Sequence, residues 1–150
     1  MVGQKERRLG AAVIQLNKLN NLDIVAGSKQ LNIAPEIPFN NISLTFLNEL
    51  SNILRKSATA KNYPDLMAFS FWCRKGHLEK LKRKQANIER RLGRGLVFHI
   101  APSNVPLNFG YSYIFGLLSG NANIVKIPSK DFPQAEFLCQ TIDGLLRKKE

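Results

Sequence analysis

The sequence predicts an α/β protein: a helical N-terminal region followed by the start of a parallel sheet. Three observations carry this. Residues 41–93 show helical spacing of apolar side chains, and residues 94–150 alternate strand-like and helix-like segments. The two strand candidates, Leu96–Ala101 and Ala122–Ile127, are spaced at roughly the 30 residues of a βαβ unit.

In order, residues 1–40 read as irregular. Asparagines cluster at Asn17–Asn21, and Pro35 and Pro38 interrupt any long element. Leu22–Val25 could form a short strand. The basic start, Met1–Arg8, followed by Leu9–Leu16, superficially resembles a secretory leader. Gln15 and Asn17 break the apolar run and no convincing small-residue cleavage site follows, so a helix or strand at a cytoplasmic N-terminus is the better reading.

Ser43 is placed as the N-cap of a first helix, with Phe46, Leu47, Leu50, Ile53 and Leu54 on its buried face. Pro64 suits the first turn of a second helix, whose apolar side continues through Leu66, Phe69, Trp72 and Cys73. Gly76 reads as a break. Beyond it Leu78, Leu81, Gln85, Ile88 and Leu92 form a narrow stripe with a heptad flavour, too short to establish a coiled coil.

Leu96–Ala101 is almost entirely apolar, as expected of a strand covered on both faces. Val105–Ser119 reads as a helix ended by Gly120, because glycine tolerates the left-handed conformation of a helix stop. Ala122–Ile127 is the second strand. Pro133–Lys148 is a further helix that buries Phe137, Leu138, Ile142, Leu145 and Leu146. A right-handed crossover makes the two strands parallel neighbours. Two parallel strands leave two open edges and cannot close a core. The pattern therefore predicts either that another chain completes the sheet or, preferably, that this stretch is a piece of something longer. The expected division is residues 1–93, mostly helical, and residues 94–150, the first βαβα part of a cofactor-binding domain.

No apolar run approaches the ~18 residues that span a bilayer. Cys73 and Cys139 form neither a disulfide framework nor, with the isolated His77 and His99, a metal-ligand spacing. The net charge of +11 favours polyanionic partners without choosing among them. Nine basic residues lie between Arg74 and Arg94, opposed only by Glu79 and Glu89. They could grip nucleic acid, the phosphates of coenzyme A or an acidic carrier protein, or simply form a solvated face. From Lys75 to Arg94 the only ring is His77, which disfavours stacking on single-stranded nucleic acid. A basic module for nucleic acid or another polyanion stays as the alternative function.

Two clusters could carry chemistry. Pro102-Ser103-Asn104-Val105-Pro106 follows a strand and opens into a helix, at the sheet edge where open α/β folds bind ligands. The prolines stiffen the turn. Asn104 between them is either an oxyanion donor or a helix cap, and local sequence favours the cap. The second cluster is Gly120-Asn121 with Lys126-x-x-Ser129-Lys130. Lys126, ending an apolar strand, either reaches solvent or meets a ligand at the carboxyl edge.

Together these clusters resemble the opening of the cofactor domain in the aldehyde dehydrogenase superfamily, with its P-x-N-x-P turn, G-N helix end and strand closing on K-x-x. The run Phe98-His99-Ile100-Ala101-Pro102-Ser103-Asn104-Val105-Pro106 is most similar to the bacterial acyl-CoA reductases of the luminescence fatty acid reductase type. Ser103 departs from the aromatic residue that many aldehyde dehydrogenases place there. The resemblance implies a reduction of an activated fatty acyl group to an aldehyde through a cysteine thioester. It makes Asn104 the oxyanion residue and Lys126 the ligand of the cofactor's adenosine ribose. Ser129 falls where NAD-preferring members carry glutamate; serine, with Lys130 beside it, removes the repulsion of a 2′-phosphate, so NADP(H) is the expected cofactor. An acyl-CoA or acyl-protein donor, an acyl-transferase or acyl-protein synthetase partner, and a homo-oligomer follow from the same resemblance. The nucleophilic cysteine of that family lies further downstream, so this stretch alone is expected to be inactive.

Overall fold

The computed structural model describes residues 11–18, 21–27 and 33–148, with side chains described from Asp23 onward. The basic start, Met1–Arg8, lies outside them. Strands β1 (Ala11–Lys18) and β2 (Asn21–Gly27) are followed by helices α1 (Asn41–Lys56), α2 (Ala58–Lys61), α3 (Pro64–Trp72) and α4 (Lys75–Arg83), and by a 3₁₀ turn at Ile88–Arg90. Strand β3 (Leu96–Ile100), helix α5 (Asn108–Leu118), strand β4 (Ala122–Lys126) and helix α6 (Pro133–Arg147) complete the order.

The strand–helix–strand–helix reading of the second half holds, and β3 and β4 are parallel neighbours in register Leu96↔Ala122 through Ile100↔Lys126. Within residues 1–40, the irregular reading fails at 11–18 and 21–27, which form strands, and holds at 33–40. Leu22–Val25 lies inside β2, and β1 inserts between β2 and β4, giving the sheet order β2-β1-β4-β3. β1 is antiparallel to β2 and parallel to β4. The hairpin thus supplies sheet partners that the two-strand reading lacked. Register irregularities at Val13/Ile14 and Leu16/Lys18 help explain why its alternation was hard to see in the sequence.

β3 is not covered on both faces. Its burial alternates, with Leu96, Phe98 and Ile100 exposed at 46%, 53% and 71%, while Val97 and His99 are partly buried. β3 ends the sheet, and its described helical neighbour α5 meets one face only. An almost entirely apolar run therefore hid a one-sided strand.

The core lies between the sheet and the helices. Phe46, Leu47, Leu50 and Leu54 of α1 are fully buried, as is Val125 of β4. Tyr113 of α5 meets Phe46 edge-on at 6.3 Å. Ile53, assigned to the buried face of α1, is instead 38% exposed. Leu66, Phe69 and Cys73 are buried as expected, and Pro64 occupies the first turn of α3. On α6, Leu138, Ile142 and Leu145 are buried and Phe137 and Leu146 partly so.

Helix ends depart from the sequence reading in four places. Asn40, not Ser43, caps α1, its Oδ1 accepting from Ser43 N at 2.9 Å. Ser43 sits buried in the first turn and donates to Leu117 O at 3.4 Å. Asparagine caps as well as serine does, so the choice rested on where the chain turns. Gly76 does not break a helix but lies in the first turn of α4; the break falls at Cys73–Arg74. The stripe from Leu78 to Leu92 is not one helix, because α4 stops at Arg83 and Asn87 adopts a left-handed φ of 54°. α5 starts at Asn108, three residues after the expected Val105, since Pro106 and the turn before it occupy that stretch.

Candidate functional site

The register Ile100↔Lys126 sets the carboxyl ends of β3 and β4 side by side, about one strand spacing apart, ~4.8 Å. The Ala101–Leu107 turn leaves from one end and the Ile127–Lys130 segment from the other. The structure thus brings the two sequence clusters to one sheet edge. Lys126 is partly buried at the strand end; Asn104, Ser129 and Lys130 are exposed. Lys130 Nζ stands 5.3 Å above the Phe132 ring, a contact that restrains its ammonium near the edge.

Asn104 does not cap α5. The cap position is Leu107, which makes no side-chain cap bond. The capping role favoured by local sequence is therefore overturned, because the second proline delays the helix by a turn. Among the described residues the Asn104 carboxamide makes no hydrogen bond, so its N–H is free to meet a ligand.

Behind this edge lies a polar network that sequence reading missed. His99, isolated in the sequence from other metal-ligating residues, has its Nε2 2.9 Å from Oδ1 of Asn123, a fully buried residue. Asn123 Nδ2 donates to Asn121 O at 2.8 Å, which fixes Oδ1 toward His99 and requires the His99 proton on Nε2. Asn121 Oδ1 accepts from Arg94 N at 2.6 Å. α5 crosses above at Gly116, where any Cβ would collide with the Asn123 amide. The usable signal was parity: Val97 pairs with Asn123 and His99 with Val125, so both polar residues face α5.

Gly93-Arg94-Gly95 precedes β3 and serves packing. Gly93 N donates to Glu36 O at 2.9 Å, Glu36 N donates to Gly120 O at 2.9 Å, and Ala122 N donates to Gly95 O at 2.7 Å.

Neither cysteine lies at this edge as an exposed thiol. Both are buried, and burial pushes the Cys73 thiol far up and the Cys139 thiol up to about 12, with Glu136 adding to the latter. Burial likewise raises Tyr113. Thiol reagents should label the native chain only as fast as it opens. The pH dependence follows in sign. Below the ordinary thiol value near 9, folded and unfolded chains both hold these protons and stability is full. As pH rises past 9 the unfolded chain releases them first, and stability falls by up to about 1.4 kcal/mol per pH unit per thiol. Urea unfolding from pH 9 to 11 measures this; an unchanged midpoint would contradict the burial argument.

The fold is that of an α/β protein with a small parallel sheet whose strands end on one edge, the place where open α/β sheets generally bind ligands. Residues 74–148 match the sequence model of the acyl-CoA reductase (LuxC) family, half of the 150-residue chain, and the chain belongs to that family. No curated protein and no solved structure matches it.

Proposed function

We propose that this chain is the N-terminal part of an NADP(H)-dependent acyl-CoA reductase with an aldehyde-dehydrogenase-like cofactor domain beginning at residue 94. The observation that carries the reading is the register of β3 and β4, which sets the Asn104 turn and the Lys126 segment on one edge, within the stretch that matches the family. The substrate is a fatty acyl group on coenzyme A or a carrier protein. Asn104 donates its amide N–H to the acyl oxygen as negative charge develops there. The nucleophilic cysteine is not among these residues, since Cys73 and Cys139 are buried thiols.

The residues present fit NADP(H). Lys126 holds the adenosine ribose, and Ser129 and Lys130 receive the 2′-phosphate. No carboxylate stands at position 129, although the exposed Asp131 follows Lys130. Bound there, the cofactor supplies the hydride that reduces the acyl group. An acyl-transferase or acyl-protein synthetase would deliver the acyl group. Among the described residues no helix is long and apolar enough to cross a membrane, and we place the enzyme in the cytoplasm.

The test is cofactor preference. NADPH should bind the chain more tightly than NADH, and Ser129→Glu should reverse the ratio by about tenfold, the effect of one close charge repulsion. In a catalytically complete enzyme the kcat/KM ratio should move alike. A preference ratio unchanged by Ser129→Glu removes the assignment of that position.

A further inference from the structure

At the opposite end of the sheet, where β3 and β4 begin, lies a cavity of about 530 Å³. That is the size range of small-ligand sites. Part of its wall is apolar, formed by Leu81 of α4, Ile88 and Leu92 after it, and Phe115 of α5, with Gln85, Ser119 and Asn121 as polar neighbours. Arg91 and Arg94 line it, and no carboxylate does. Both arginines are exposed, and neither has an ion pair among the described residues. Phe115 and Leu92, at 54% and 66% exposure, leave unusually large apolar surface open in the same place. The carbonyls of the α5 end do not oppose an anion here. Phe115 O, Leu117 O and Leu118 O already accept from Ser119, Gly120 and Phe39 N–H groups.

An apolar trough with unpaired guanidinium groups matches a single apolar tail carrying one anionic head. The tail covers Leu81, Ile88, Leu92 and Phe115, and the planar head takes paired N–H donors from Arg91 or Arg94. We propose that this cleft binds a fatty-acid anion, at a site separate from the reductase edge and independent of the reading given to that edge. The two sites lie at opposite ends of β3 and β4, as α5 runs from one to the other.

Trp72, the chain's single tryptophan, reports on the cleft because its ring is 5.2 Å from that of Phe115. Titrating dodecanoate below its micellar threshold should change Trp72 emission saturably. Arg91→Glu and Arg94→Glu should each weaken binding by about tenfold, as expected for losing a charged hydrogen-bond partner. Both positions are exposed, and unchanged circular dichroism verifies the fold; Arg91→Gln and Arg94→Gln give a smaller loss in the same direction. Dodecyltrimethylammonium, with the same tail and the opposite charge, should not bind. NADPH should not displace dodecanoate. Equal binding of the cationic amphiphile, unchanged affinity in both Arg→Glu variants, or displacement by NADPH would each overturn the proposal. Failure of NADPH to bind at all would count against the reductase reading and leave this one standing.

Discussion

Gly120→Ala should lower the melting temperature by roughly 4–14 °C, corresponding to a net loss of about 2–3.5 kcal/mol. Two independent effects add at this residue. Its φ is +78°, which costs an alanine roughly 1–2 kcal/mol. A Cβ there would also overlap the Glu36 carbonyl oxygen and lie 2.8 Å from its carbon. Those are backbone atoms, so no side chain can swing aside. Relief requires moving the 33–37 segment, which holds the Glu36–Gly120 and Gly93–Glu36 hydrogen bonds, each contributing about 1 kcal/mol. The stiffer unfolded chain of the variant returns roughly 0.4–1 kcal/mol at most. A calorimetric midpoint within about 2 °C of the parent would show that this junction bears no such constraint.

Asn104→Ala should leave the melting temperature unchanged and lower turnover of the complete reductase by ~10²–10³. The two halves of this expectation have different sources. Stability is spared because Asn104 is exposed and Leu107 holds the cap position. Under the proposed oxyanion role turnover should fall because the amide N–H would meet charge that grows only as the acyl group is attacked, so the loss should appear in kcat rather than KM. Asn104→Asp should lose as much, having no donor and an unfavourable charge. Normal turnover in Asn104→Ala would remove the oxyanion role. A large fall in melting temperature would instead point to a structural one.

The elements of residues 96–147 were legible because their signals are local. Apolar runs of strand length, a positive-φ glycine after Ser119 and a proline at the first turn of α6 each act within a few residues. The placement of Asn104 and Lys126 at one edge followed from the βαβ pattern itself, since parallel neighbours present the same ends. The His99–Asn123 pair was not legible as a pair, because its partners are 24 residues apart and meet only through the β3–β4 register.

By itself, then, the sequence determined the helix and strand order of its second half, the edge that carries Asn104, Lys126, Ser129 and Lys130, and the family resemblance resting on them. Only the tertiary structure decided that β1 separates β2 from β4, that β3 is open on one face, and that Leu107 rather than Asn104 takes the cap position. The physical reason is range. Periodicity and turn chemistry are written in neighbouring residues. Strand partnership depends on pairings such as Val13 with Val125, more than a hundred residues apart, whose gain exists only once the intervening helices have folded into place.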